Sequence, residues 1–212
     1  YELDNYRELL DLDDKYSGYQ KVAANVIAMD GTNWFSSFTI DKGSKEGIKK
    51  GMNVIAGSGL VGIVTDVGPN FAKVRSIIDD SSNVSSMVLT TKDNFNVGGS
   101  LKSMNQDKVL PFTELRDEDD KVKVGDPVVT SYVSDQYQEG ILIGYIASIE
   151  KNANNLTKSG TITPVVDFQH LREVLVITTL KDTGEKELSS QKASDTQTET
   201  QDNTETQKSV SY

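Results

Sequence analysis

The chain holds a single histidine and no cysteine, and this narrows the chemistry open to it. A Ser-His-Asp triad needs an imidazole within reach of a serine hydroxyl. His170, in Val-Asp-Phe-Gln-His-Leu-Arg-Glu-Val, follows every serine of the part that reads as folded. The order His, Asp, Ser is then open only to serines near the end of the chain, and no Gly-x-Ser-x-Gly elbow occurs. His170 therefore reads as a surface or loop residue near a strand start. Without cysteine, neither a disulfide nor a cysteine-ligated zinc site can form. The acids at 11–14, 79–80 and 117–120 lack the alternation, the glycine and the closing glutamate of a calcium loop. Residues 114–120, followed by Lys121 and Lys123, read as a solvated loop. Both glycine-rich phosphate motifs are absent, and nothing in the spacing supports paired glycosidase carboxylates. The expectation is no catalytic residue, no metal ligand and no cofactor.

The most informative stretch is residues 41–64, where glycines fall at 43, 47, 51, 57, 59 and 62. Ser44 can cap a single helical turn that Gly47 ends in the left-handed conformation. Gly51 opens the turn into a strand near 53–56, and Gly59 suits the turn into the next. Gly62 sits inside that strand, where a glycine marks a bulge, a tight corner or a close backbone approach. The physical reading is a tight barrel, not an active site.

The elements around it are short. β-Branched runs separated by Gly, Asp, Asn and Ser predict strands near 22–29, 35–40, 53–56, 60–67, 73–78 and 84–90, and again near 96–101, 107–111, 127–130, 143–150, 161–166 and 174–178. Such a series suggests sandwiches or barrels, and no long helical period supports a βαβ sheet. A weak repeat links Gly51, the 53–56 strand and Gly62 to Gly125, the 127–130 strand and Gly144. It fits two similar small barrels in succession, and equally a chance likeness among β-rich segments. Upstream, Leu3, Tyr6 and Leu10 follow the 3-then-4 spacing of a heptad seam. That is either the end of a coiled coil or a short helix lying on the domain. The chain begins inside this pattern without Met and reads as a segment of a longer protein. From about residue 183 the sequence turns to Ser, Thr, Gln and Asp, too polar to offset the entropy of ordering. The net charge of −10 is concentrated at the ends, with six acids and two bases in 1–17 and seven acids and four bases in 181–212. The middle is only mildly acidic, and no basic stripe offers itself to nucleic acid. The expected units are 1–16, the end of a coiled-coil helix; 17–80, a first barrel; 81–180, a second; and 181–212, a disordered polar tail.

The glycine segment also resembles the hallmark segment of the MreC family, bacterial rod-shape-determining proteins. That pattern is a strand ending in Asp-x-Gly, then Lys-x-Gly-Met-x-Val, then Gly-Leu-Val-Gly-x-Val. Here it stands as Asp41-Lys42-Gly43, Lys49 to Val54 and Gly59 to Val64. Val67-Gly68-Pro69-Asn70, the segment 74–79 and Asp167-Phe168 with Leu171 and Val174-Leu175-Val176 are similar too. At the start, Asp4 stands where Glu is commoner, and Tyr6-Arg7 replaces an Arg-Leu-like pair. The resemblance implies an all-β fold of two small six-stranded barrels, arranged somewhat as in chymotrypsin-type proteases but without their catalytic residues. It implies a single-pass membrane protein with this region on the extracytoplasmic face, acting as a scaffold of cell elongation. The implied partners are a penicillin-binding transpeptidase and other wall synthases, MreD, an MreB-type cytoskeleton reached through the missing N-terminal part, and a second copy in a homodimer or larger assembly. Gly43, Gly47, Gly51, Gly59, Gly62 and Gly68 would be structural. Contact residues are sought among the aromatics Trp34, Phe35, Phe71, Phe95, Phe112, Tyr132, Tyr137 and Tyr145, with Trp34, Phe35 and Phe71 foremost. The alternatives are a wall-carbohydrate binding module or a degenerate hydrolase on a double barrel.

Overall fold

The computed structural model describes residues 15–29, 35–57, 59–117, 119–153 and 156–181. The expected seam residues Leu3, Tyr6 and Leu10, the aromatic Trp34 and the polar tail beyond Lys181 lie outside them. The described chain carries strands β1 (Lys21–Met29), β2 (Ser37–Ile40), β3 (Asn53–Ala56), β4 (Gly59–Val67), β5 (Ala72–Ser76), β6 (Asn83–Val88) and β7 (Asn94–Gly98). A short helix α1 (Leu101–Asp107) precedes β8 (Leu110–Leu115), β9 (Pro127–Thr130), β10 (Leu142–Lys151), β11 (Lys158–Pro164) and β12 (Glu173–Ile177). All the strand pairs are antiparallel. They close two six-stranded barrels, β1-β12-β3-β4-β5-β2 and β10-β11-β8-β7-β6-β9.

The contiguous division expected at residues 17–80 and 81–180 fails at the last strand. β12 belongs to the first barrel, between β1 and β3, with Val176 opposite both Val22 and Val54. Strands β6 to β11 already fill the six places of the second barrel, so β12 fills the gap left in the first. Its buried run Val174, Leu175, Val176 and Ile177 fits a strand covered on both faces. The segment 96–111, expected as two strands, also holds a helix. α1 stands between them, capped by the Ser100 hydroxyl accepting from Ser103 N–H at 3.2 Å. Leu101 N–H donates to the Asp80 carboxylate at 2.9 Å, and Met104 turns inward. The serine cap and the Leu101–Met104 spacing were both legible as a helix start.

The weak repeat is a structural equivalence. Following the ring of pairings, β12, β1, β2, β3, β4 and β5 correspond to β6, β7, β8, β9, β10 and β11. Gly51 and Gly125 both take positive φ, 88° and 93°. Gly51 N–H bonds the Val64 carbonyl at 2.9 Å, and Val64 N–H returns to the Met52 carbonyl at 2.8 Å. In the second barrel Gly125 bonds Ile146 at 2.7 Å, and Ile146 returns to Asp126 at 3.0 Å. Gly62 faces Val54 and Gly144 faces Val128. A Cβ at Gly62 would lie 2.1 Å from the Arg75 carbonyl oxygen, and one at Gly144 2.2 Å from that of Thr163. Both strands then bulge, between Val64 and Asp66 and between Ile146 and Ser148. The mid-strand glycine lets the neighbouring strand cross tightly and the bulge turns the sheet, which is how a small barrel bends.

A polar clamp joins the barrels. The amide of Asn53, buried in β3, donates to the Gln136 carbonyl at 2.9 Å and accepts from Gln138 N–H at 2.7 Å. Gln138 donates onward to the Thr179 carbonyl at 2.9 Å, and the Tyr16 hydroxyl accepts from Leu142 N–H at 3.0 Å. Buried apolar residues of both barrels form one continuous cluster. Two predictions follow from this architecture. Gly62→Val should cost about 3 kcal/mol or more, a fall in Tm of roughly 6–12 °C for a domain of this size. A chain ending before Glu173 should lose the first barrel, seen as collapse of its amide dispersion in a ¹H–¹⁵N spectrum.

Candidate functional site

The hallmark glycines build a platform for one aromatic ring. The β4–β5 turn, Gly68 to Phe71, rests on Gly43, where a Cβ would come within 2.4 Å of the Gly68 carbonyl oxygen. Ser44 N–H donates to that oxygen at 3.0 Å and Lys45 N–H to the Pro69 carbonyl at 3.2 Å. Residues Ser44–Glu46 form a 3-10 turn ended by Gly47 at φ 83°. The Glu46 carboxylate reaches back to Gly43 N–H at 2.8 Å, one half of a capping box. The ring of Phe71 lies across Gly68, where a Cβ would meet it at 2.3 Å, and Gly68 N–H donates to the Phe71 carbonyl at 2.8 Å. Phe71 is thus held in place on backbone while 40% of it stays open to solvent. A rigid, part-exposed aromatic suits protein contact because little side-chain freedom is left to lose. Gly59 serves another purpose: a Cβ there would meet Val165 at 2.3 Å and the Leu142 carbonyl at 2.9 Å, so it permits close packing of β4 against β10.

The second candidate, Phe35, lines a groove of about 290 Å³ where the β5–β6 link, α1 and the β11–β12 link meet. Ile78, Met104, Val166 and Phe168 make a buried apolar floor, with Lys108 and Asp167 on the rim. Phe35 itself sits at φ 75°, rare for a bulky residue and a sign of local strain. Phe95, Phe112 and Tyr137 are core instead. Phe95 and Phe112 stack edge-to-face at 5.1 Å inside the second barrel, and burial pushes the Tyr137 hydroxyl up to about 12. Tyr132 and Tyr145 are exposed, on the second barrel.

His170 ends the 3-10 turn Phe168–His170. Its Nδ1 pairs with the Asp167 carboxylate at 2.6 Å. Among the described residues no serine hydroxyl hydrogen-bonds to the ring, and no group of three or more metal-ligating side chains occurs. Desolvation raises the Asp167 carboxyl, but the bonds from His170 and Gln169 N–H outweigh it and hold it below the usual carboxylate range.

The segment expected as a solvated loop carries the second barrel's buried ion pair. Asp117 is buried and bonds Lys158 at 2.7 Å, their side chains 1% and 9% exposed. It also accepts from Lys121 N–H at 2.8 Å and Val122 N–H at 3.1 Å, while Lys158 bonds the exposed Asp120 as well. No local signal separates Asp117 from its acidic neighbours; the distant Lys158, first residue of β11, selects it. Desolvation pushes the Asp117 carboxyl up, yet the Lys158 ammonium and the two N–H donors bring it below its ordinary value. Lys158 is lowered by burial and raised further by the two carboxylates, ending above its ordinary value.

With both barrels and this segment in view, the sequence match is specific. Residues 26–178 match the family described as rod shape-determining protein MreC, barrel core. The chain belongs to the MreC family. The cell shape-determining protein MreC of Listeria monocytogenes is 34% identical over 173 residues, covering 81% of this chain and 58% of that protein. The chain therefore spans a little over half of that relative's length. A solved MreC structure from Listeria monocytogenes is 32% identical, with a TM-score of 0.68 over 85% of this chain and 90% of the other. In fold alone, the chain is also like a Helicobacter pylori structure described as a complex between penicillin-binding protein PBP2 and MreC. There the TM-score is 0.56 at 12% identity, over 76% of this chain and 100% of that one. Among the described residues, no helix is long and apolar enough to cross a membrane.

The ion pair yields a signed pH prediction. A depressed carboxyl stabilises the fold above its unfolded pKa, roughly 3.9, and that contribution is lost as pH falls through the lower folded value. The raised Lys158 contributes below its unfolded value, about 10.4, and loses this as pH climbs through the folded one. Tm plotted against pH should therefore fall steeply below about pH 4, and Asp117→Asn should flatten that limb. Lys158→Met, which strands a buried carboxylate, should cost about 3–5 kcal/mol near neutral pH in urea titrations.

Proposed function

We propose that this double barrel works outside the cytoplasm as a non-catalytic scaffold of the cell-elongation machinery, attached to the membrane and binding a penicillin-binding transpeptidase. Family membership across both barrels carries this reading. The Helicobacter pylori relative of the same fold, solved together with PBP2, supports it by analogy of fold. The surface suits the task. Phe71 on its glycine platform and the apolar groove beside Phe35 are separate apolar features with polar rims, as protein-contact sites are. Other wall synthases, MreD, the MreB-type cytoskeleton and a second copy of the chain complete the proposed partner set. The last three would be reached in the whole protein. The mechanism is avidity and selection of a partner's conformation, without bond-making chemistry.

Phe71 provides the direct test. Its ring is surface-held, so Phe71→Asp should leave Tm within about 2 °C of wild type while weakening binding of the purified transpeptidase at least tenfold, a loss of about 1.4 kcal/mol. Surface plasmon resonance with the membrane-anchored protein measures both affinities. Unchanged affinity in both Phe71→Asp and a Phe35→Asp variant of normal Tm would place the contact elsewhere. Failure of the wild type to bind any wall synthase would overturn the scaffold reading.

A further inference from the structure

The outer wall of the second barrel carries a groove that the scaffold role leaves unused. A cavity of about 450 Å³ opens there, over β6, β7 and the end of β8, where Ser85 and Asn96 face each other on the side of the sheet away from the core. That is within the roughly 300–1,000 Å³ of small-molecule sites. The buried Phe95 and Ser86 form its floor. Asn94, Asn96, Ser85, Glu114 and Arg116 stand around it, with the exposed Val133 on one side.

Three features mark this groove as built rather than incidental. First, Glu114 occupies the left-handed region at φ 63° inside a strand. The register explains how: Leu115 faces Lys158 and Phe112 faces Gly160, so Thr113 and Glu114 together oppose Ser159. Such a bulge re-aims a side chain, and here it brings Glu114 to the cavity. Glycine would hold that backbone without strain, so the carboxylate is kept against a local preference. Second, the Ser131 hydroxyl donates to the Asn94 side-chain oxygen, which turns the amide's NH₂ into a fixed donor. Third, Glu114 and Arg116 line the same cavity with opposite charges, yet neither pairs with the other or with any other side chain among the described residues. The amide of Asn96 and the hydroxyl of Ser85 are likewise without a side-chain partner among them.

Those groups also constrain the ligand. The two charges cancel, so the cavity does not select a polyanion such as a phosphate ester. Every strand of the barrel is paired on both sides, so no free edge is available for a peptide backbone to extend. What remains is a ring of planar amides, a carboxylate, a guanidinium and a hydroxyl, with one apolar side chain. That set matches a compact molecule bearing donors and acceptors around its rim and an apolar face. We propose that this groove on the outer wall of the second barrel binds a neutral saccharide of one or two rings, with Asn94, Asn96, Glu114 and Arg116 bonding its hydroxyl and amide substituents and Val133 packing on a ring face.

The test uses the whole 212-residue chain, ¹⁵N-labelled, titrated separately with the N-acetylglucosamine disaccharide chitobiose, with maltose and with trialanine. Saturable shifts at Ser85, Asn94, Asn96 and Arg116 with either sugar, at a Kd of about 1 mM or tighter, are expected. Asn96→Ala should weaken binding at least tenfold. Glu114→Gly should do the same while raising Tm by about 2–4 °C, because strain is relieved as the ligand group is removed. That opposition of stability and binding is not expected of a residue with a merely structural role. Shifts with trialanine alone, no shifts at the groove up to about 20 mM of either sugar, or sugar shifts that survive both substitutions would overturn the proposal.

Discussion

The first barrel cannot close on strands that follow one another in sequence. Its ring needs β12, which arrives after the whole of the second barrel, to pair with β1 on one side and β3 on the other. Until that happens, two strand edges of the first barrel stand open, and open edges invite wrong pairing. The closing contacts join strands far apart in sequence, so they carry the largest loop-closure cost among the strand pairs. The second barrel, with its six strands contiguous, has no such dependence. The finished first barrel holds β1 and β12, near the two ends of the described region, against each other.

This closure explains where the polar clamp sits. Asn53 lies in β3, the strand that receives β12, and its amide holds the β9–β10 loop of the other barrel through both its oxygen and its nitrogen. Gln138 in that loop then reaches the Thr179 carbonyl just beyond β12. A buried amide with both ends satisfied fixes orientation more strictly than apolar contact can, because a shift of either partner strands a donor or an acceptor. The two barrels are consequently one packed unit, and the groove lined by Phe35, Met104 and Phe168 is a product of their fixed placement. A scaffold that must present two surfaces at a set distance gains from such a joint.

Much of the fold was legible because barrels of this size depend on strong local signals. Gly62 and Gly144 announced strands that bend, and the structure shows why nothing larger fits at either. Positive φ at Gly47, Gly51 and Gly125 is similarly a local matter, written in residue type. The platform under Phe71 was half legible: Gly43 and Gly68 were recognised as special, but their task of seating an aromatic ring depends on the turn at 68–71 lying against residue 43. Asp117 was not legible. It sits among acids of the same type, and only a lysine on another strand makes it the buried one. Glu114 was hidden for a related reason, since its strained backbone arises from register with β11 and not from its own neighbours.

The sequence by itself determined the strand-rich class, the bending points, the absence of cysteine chemistry and the family. These follow from residue type and short spacing, where the physics is local. Tertiary structure alone decided which barrel β12 completes, which acid is buried, which aromatics face solvent and how the groove on the second barrel's outer wall is furnished. Each of those depends on residues far apart in the chain meeting in one place, and a strand's alternation of side chains says what it can pair with but not which partner is left unpaired when the others have closed.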